Sequence, residues 1–251
     1  MIRMMICGLA AKLRVCHSEE ENLARSTMSL TERGEESAAV SDDGYRRIRT
    51  DIVFGRLPPG QKLKLEGLRE AYGASVSTLR EVLNRLVAEG FVTAEGKRGF
   101  EVAPVSAENL KELAGLRLLL ETYALRVSFA NADVEWEGRV VSAHHKLEST
   151  ERLMESGIGE LEQWKRYDGE FHHALISNCG SQVLLQTHAL IFDKYFRYQM
   201  IAFTYRGREP SEQHMALRKC ALSRNAEEAE TVLRAHVNNC VEHALATKSL
   251  G

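Results

Sequence analysis

Apolar residues recur at helical spacing along most of the chain from residue 44 onward. In "GYRRIRTDIVFGRL" (44–57), Ile48, Ile52 and Val53 fall on one side of a helix. "PPG" at 58–60 ends it, because proline fixes φ and lacks the N–H that would continue a helix. "KLEGLREAYGAS" carries a short helix stopped by Gly73. "SVSTLREVLNRLVAEG" predicts a second one: Leu79, Val82, Leu83 and Leu86 line one face, Ser75 or Ser77 serves as N-cap, and Gly90 stops it. Two helices joined by a short glycine-containing turn form a helix-turn-helix pattern. "FVTAEGKRGFEVAPV" then predicts two strands around a tight "GKRG" turn. Residues 42–105 thus spell a winged helix-turn-helix.

The pattern changes at about residue 106. From there to 247 no segment alternates convincingly as a strand. Six helical stretches are predicted, at 107–130, 133–156, 160–177, 181–205, 211–223 and 226–247. The breaks between them are Asn131–Ala132, Gly157–Gly159, Cys179–Gly180, "RGREP" and Ser223–Asn225. "NAEE" at 225–228 is close to a capping box. The expected architecture is mainly α: the winged helix-turn-helix followed by an all-α antiparallel bundle long enough for a core of its own.

Polar residues interrupt the apolar stripes of this bundle. Leu161, Trp164, Asp168, Phe171, His172 and Leu175 share one helix face, because residues three and four apart are neighbours. His173 lies about 100° further round, toward the edge. His236 sits within the stripe Ala229, Val232, Leu233, Val237, Cys240, Val241 and Ala244, and His214 shares a face with Leu217 and Ala221. A buried, unpartnered carboxylate is costly, so one Asp and three His on core faces require an explanation. One is a hydrogen-bonded Asp–His pair with two ordinary core histidines; the other is a divalent metal, since imidazole plus carboxylate suits Zn, Ni, Fe or Mn. Arg117 falls in the stripe Leu110, Leu113, Ala114, Leu120 and Ala124. Its charge is answered either by Glu121 four residues on or by a ligand carboxylate. His188 is a weaker lining candidate than core packing, Arg197 and Tyr198 are weaker still, and the pair His144–His145 is expected to face solvent.

Composition limits the alternatives. No apolar run reaches the roughly 18–20 residues of a membrane span. The five cysteines are odd in number and form no CxxC pair, which fits a reduced, cytoplasmic chain better than a disulfide framework. The overall charge is −2, but residues 41–105 carry a net +2, which permits a nucleic-acid partner. Within that segment Ser75, Ser77, Thr78 and Arg80 open the second helix, where base edges and phosphates are reached. Lys97, Arg98 and Gly99 form the hairpin tip; read alone, it is a solvated surface turn. Residues 1–40 join a short basic-apolar start, too interrupted for a signal peptide, to a polar acidic stretch expected to be disordered. Met1 and Met28 are both candidate starts.

"IVFGRLPPGQKL", "STLREVLNRLVAEGFV" and "GKRGFEVAPV" resemble the N-terminal domain of the GntR family of bacterial transcription regulators. Within its FadR-type branch the position of Val76 is often a base-reading Arg, and that of Glu66 is often an Arg too; this chain has neither, so no operator sequence carries over. The second region resembles the FCD ligand-binding domain that accompanies this DNA-binding type, and its six helices resemble the VanR-like form. The resemblance implies a metal held by Asp168, His172, His214 and His236, whose spacings of four and 22 match the family pattern. It further implies an effector pocket faced by Arg117. Ser181 stands where a pocket Asn is common. The function implied is a homodimeric regulator, most often a repressor, that binds operator DNA and senses a small organic acid. Two rivals stay open: a metal-dependent enzyme in which the ion activates water, and a regulator whose metal is purely structural. A further, slight likeness over 44–156 points toward regulators of carbon starvation and dicarboxylate catabolism.

Overall fold

The computed structural model describes residues 41–94, 99–202 and 207–247. The chain opens with α1 (residues 41–53), β1 (Lys62–Leu63), α2 (Leu65–Tyr72) and α3 (Val76–Glu89), followed by β2 (Val92–Ala94) and β3 (Phe100–Val102). Glycines in the left-handed region end both helices of the turn motif: Gly73 at φ 68° and Gly90 at φ 77°, a backbone state that costs a residue without Cβ little. Ser75 is the N-cap of α3; its hydroxyl accepts the Thr78 N–H at 3.2 Å. The sheet order is β1-β3-β2, antiparallel throughout, with Val92 opposite Val102. The two-residue β1 was not anticipated, because a pair of residues carries no periodicity.

The helices α4 (Ala107–Ala130), α5 (Val134–Glu155), α6 (Leu161–Ile176), α7 (Gln182–Ile201), α8 (Arg208–Leu222) and α9 (Ala226–Ala246) follow. Side-chain caps open four of them: Ser106 for α4, Asp133 for α5, Ser181 for α7 and Asn225 for α9. α8 begins three residues earlier than its apolar pattern suggests. Pro210 lies within its first turn, where the N–H that proline lacks would have no partner anyway. Proline was therefore mistaken for a break.

Two apolar clusters fill the molecule. One lies among α4–α9, around Trp136, Trp164, Phe171, Tyr195, Leu217 and Leu233. The other is built from Ile48, Ile52, Leu79, Leu83, Leu86 and Phe91, and it also takes in Phe192, Phe196 and Met200 from α7. One face of α7 is therefore the floor of the winged helix. Polar contacts reinforce the junction. Arg49 of α1 bridges Glu89 and Asp193, and Arg56 bridges Asp51 and Glu162. Arg197 donates to the Ala103 carbonyl, while the Tyr198 hydroxyl meets Asn109 Oδ1 at 2.9 Å and accepts the Ser106 N–H. Arg197 and Tyr198 thus hold the linker between the two clusters and do not line a pocket. No helix among the described residues is long and apolar enough to cross a membrane.

Candidate metal centre and DNA-binding face

Asp168 and His172 sit one turn apart on α6, as the helical period requires, and both are buried. His214 on α8 and His236 on α9 meet them, so that one donor atom from each of the four lies within 4.8 Å of all the others. Asp168 Oδ1, His172 Nε2 and His214 Nε2 are fully buried and make no hydrogen bond. His214 Nε2 comes within 3.1 Å of Asp168 Oδ1, but out of hydrogen-bond alignment. Buried polar atoms are nearly always satisfied, so three orphans facing one point are what a missing cation would leave.

The opposite edge of each imidazole supports this reading. His214 Nδ1 is 2.7 Å from Glu151 Oε1, His236 Nδ1 is 2.9 Å from Gln213 Oε1, and His172 Nδ1 is 3.6 Å from Glu121 Oε2. For His214 and His236 the acceptor at Nδ1 is within hydrogen-bond distance, which keeps the proton there and turns the Nε2 lone pair toward the common point; Glu121 faces His172 at longer range. The donor set of three imidazoles and one carboxylate fits Zn, Ni, Mn or Fe.

The electrostatics are mixed. Burial opposes the charge of Asp168, but Lys165 and the neighbouring imidazoles outweigh it and hold the carboxyl well below its usual range. Burial, together with His214 and His172, holds His236 well below 6.5, and burial with Arg117 lowers His172, so both are neutral ligand forms. His214 runs the other way: burial opposes its charge, yet Asp168 and Glu151 on either side raise it above 6.5. Metal uptake must displace that proton.

Behind the four donors lies a charged layer that sequence reasoning only half saw. Glu121 Oε1 accepts from Arg117 Nε at 2.8 Å and lies 2.6 Å from His188 Nε2. The Arg117 guanidinium stacks over Phe192 and Tyr195, with ring centroids at 4.5 and 4.8 Å. Arg117 and His188 are therefore committed to Glu121. Ser181 spends its hydroxyl on the α7 cap and is not among the residues around the centre. His144 is buried, contrary to the expectation that it faces solvent: it falls on the α5 stripe of Trp136, Val140, Ala143 and Leu147 and meets Phe171 edge-on. His145 and His173 are exposed. Removing the Arg117 charge, as in Arg117→Met, leaves the buried Glu121 carboxylate without its cation, faced only by the His188 and His172 rings. We expect a loss of about 3–5 kcal/mol, the usual cost of breaking a buried pair, measurable by urea unfolding.

On the other unit, Ser75, Val76, Ser77 and Arg80 are exposed around the start of α3, and Thr78 is half-buried. Ser75 Oγ lies 2.8 Å from both Ser77 Oγ and Thr78 Oγ1. No acidic residue occupies this first turn, so the positive end of the helix is unopposed. Gly99, at φ 96°, closes the wing; Lys97 and Arg98 lie outside the described residues.

A winged helix seated on a helical bundle with a buried cluster of metal-type donors is the build of a DNA-binding transcription regulator. Comparison with known proteins agrees. Residues 41–102 match the gntR family of bacterial regulatory proteins, and residues 112–239 match the FCD domain. The chain belongs to the GntR family of transcription regulators, in its FCD-carrying branch. It is 36% identical to the HTH-type transcriptional regulator BphR of Paraburkholderia xenovorans (strain LB400), over 87% of this chain and 95% of that protein. It is 31% identical to the HTH-type transcriptional repressor GlaR of Escherichia coli (strain K12), over 79% of this chain and 92% of that protein. In fold it is similar to E. coli McbR/YncC, with a TM-score of 0.72, 18% identity, and coverage of 82% of this chain and 97% of that one. A transcriptional regulator GntR from Rhodococcus sp. RHA1 has a TM-score of 0.68, 20% identity, and coverage of 84% and 98%. The family and these relatives are transcription regulators and not enzymes, which sets aside the metal-dependent enzyme as an alternative.

Proposed function

We propose that the protein is a homodimeric, cytoplasmic repressor that binds operator DNA and is controlled by a small organic acid at a divalent metal held by Asp168, His172, His214 and His236. The observation that carries this reading is the convergence of four buried donors, three of them without hydrogen bonds, with His214 and His236 braced from behind by Glu151 and Gln213. The bound ion would supply a positive centre for an anionic ligand. Arg117 would act through Glu121, setting the position and charge of the residues behind His172. Full burial of all four ligands also suits a purely structural ion. The effector reading is favoured because Asp168 and His236 border a cavity. The direct test measures DNA affinity of metal-loaded protein with and without a panel of C2–C6 carboxylates. If none changes it, effector control is lost.

The dimer face is assigned to α4. This helix is apolar on both sides: Leu113, Ala114, Leu118 and Leu125 enter the core, while Leu116, Leu119 and Tyr123 project outward, the last two 67% and 61% exposed. A second copy of the chain is the occupant consistent with a family that reads paired half-sites. On the DNA side, Ser75, Ser77, Thr78 and Arg80 would meet the major groove, and the hairpin-tip residues Lys97, Arg98 and Gly99 are further candidates for contact with DNA. Arg80→Ala should weaken operator binding by about 1–3 kcal/mol if the side chain forks onto guanine. A gel-shift titration against operator and unrelated DNA separates that from a phosphate contact, which would weaken both alike.

A further inference from the structure

The exposed side of α3 carries one apolar residue that the fold does not use. Val76 is the first residue of the helix and is 38% exposed. It belongs to neither apolar cluster, whereas Leu79, Val82, Leu83 and Leu86 are all buried in one of them. Valine does little for the helix at this place, because its branched Cβ restricts χ1 and lowers helix propensity. Arg80 and Asn84 follow it at intervals of four residues and are exposed too. The three form one solvent-facing line along α3.

The neighbours of Val76 in the first turn are polar and already engaged with one another. Ser75 Oγ accepts the Thr78 N–H and lies 2.8 Å from both Ser77 Oγ and Thr78 Oγ1. Hydroxyls and the N–H groups of a helix start suit phosphate, a contact that fixes register and carries no sequence information. Val76 instead offers two methyl groups at a restricted χ1, with no donor and no acceptor. Against the polar edges of guanine, adenine or cytosine it would strip water from donors and acceptors and replace none of their hydrogen bonds. Thymine is the base that presents a methyl group to the major groove.

We propose that Val76 is a specificity-determining residue that selects thymine, by packing its isopropyl group against the 5-methyl group of the base. This rests on the placement of α3 in the major groove given above. The contact involves no charge. The preference for thymine should therefore persist at salt concentrations that weaken the phosphate contacts.

The test uses the full-length protein to enrich duplexes from a random-sequence pool. The enriched half-sites should share a thymine at a defined position. Replacing that thymine by deoxyuridine removes the methyl group and nothing else. In one half-site this should weaken wild type about fourfold, the value of one buried methyl-sized group. The ratio of the two affinities should be the same at low and high salt. Val76→Ser, which lacks both methyl groups, should bind the two duplexes equally. Val76→Thr, which differs from it by one methyl group, should regain part of the preference. Val76 lies outside both apolar clusters, so both variants keep the fold and should bind unrelated DNA as wild type does. Equal affinity of wild type for thymine and deoxyuridine at every shared position overturns the proposal, as does a Val76→Ser variant with the wild-type preference. Enriched duplexes that share no thymine overturn it and leave the major-groove placement of α3 standing. A wild-type protein that enriches no sequence overturns that placement and the proposal together.

Discussion

Stripping the metal from the full chain should lower its melting temperature by on the order of 10 °C, and His214→Ala should abolish most of that difference. A ligand that binds only the folded state stabilises it by RT ln(1 + [L]/Kd), about 4 kcal/mol at a thousandfold excess over Kd. For a chain of this length each kcal/mol moves the midpoint by roughly 2–4 °C. The centre gives this gain a structural basis: Asp168 Oδ1, His172 Nε2 and His214 Nε2 make no hydrogen bond that an ion would have to break. The effect has a defined pH sign. His214 is raised above 6.5 by Asp168 and Glu151. Its protonated form therefore stabilises the metal-free fold below about pH 6.5, and that contribution fades as pH rises through the raised pKa. Metal must displace the same proton. The melting gap between loaded and stripped protein should consequently widen from pH 6 to pH 8. Differential scanning calorimetry with parallel metal analysis reads both quantities; a gap that narrows with rising pH would sink the assignment of His214.

Phe192→Ala should cost about 3–5 kcal/mol and, more tellingly, should disconnect the two units. Phe192 is buried in the apolar cluster of the winged helix, yet its ring also meets His172 at 5.7 Å, His188 at 5.5 Å and the Arg117 guanidinium at 4.5 Å. It touches both the Asp/His cluster and the DNA-binding core. Gly169, beside Asp168, allows this approach: a Cβ there would lie 3.2 Å from the Phe192 ring. Gly169→Ala is accordingly a gentler version of the same perturbation, pushing the ring without emptying its site. We expect both variants to load metal and bind DNA, with the effect of carboxylates on DNA affinity reduced. Loss of stability with the carboxylate effect intact would show that coupling runs elsewhere.

Much of this was readable from the residue pattern, for identifiable reasons. The helical period alone placed Asp168, His172, His214 and His236 on buried faces and moved His173 outward, because burial in a bundle follows spacing closely. The resemblance then joined them into one site. Glu151 was missed although the same period reveals it: it continues the α5 stripe of Trp136, Val140, Ala143 and Leu147. So does His144, misread because adjacent histidines were treated as a pair when only one of two neighbours can share a stripe. Lys165, the cation beside Asp168, was beyond reach, since it borders the α6 stripe and its ammonium is held by Gln199, 34 residues away. The role of α7 as floor of the winged helix was likewise hidden, as nothing local distinguishes Phe192 and Phe196 from ordinary core residues.

The arginines at the junction have a consequence for how this protein answers to salt. Arg49, Arg56 and Arg85 belong to the basic N-terminal unit, but each already faces a carboxylate: Glu89 and Asp193, Asp51 and Glu162, Asp42 and Glu89 respectively. Lys62, Lys64, Arg69 and Arg80 are exposed and have no such partner among the described residues. Only cations that neutralise phosphate release condensed counterions from DNA, and each contributes roughly 0.9 to the slope of log K against log salt. A large share of the positive charge counted in the sequence is therefore electrostatically silent toward DNA. The ionic-strength dependence of operator binding should reflect the few free cations, and the Arg49–Asp193 and Arg56–Glu162 pairs should instead make the junction between the two units the salt-sensitive element.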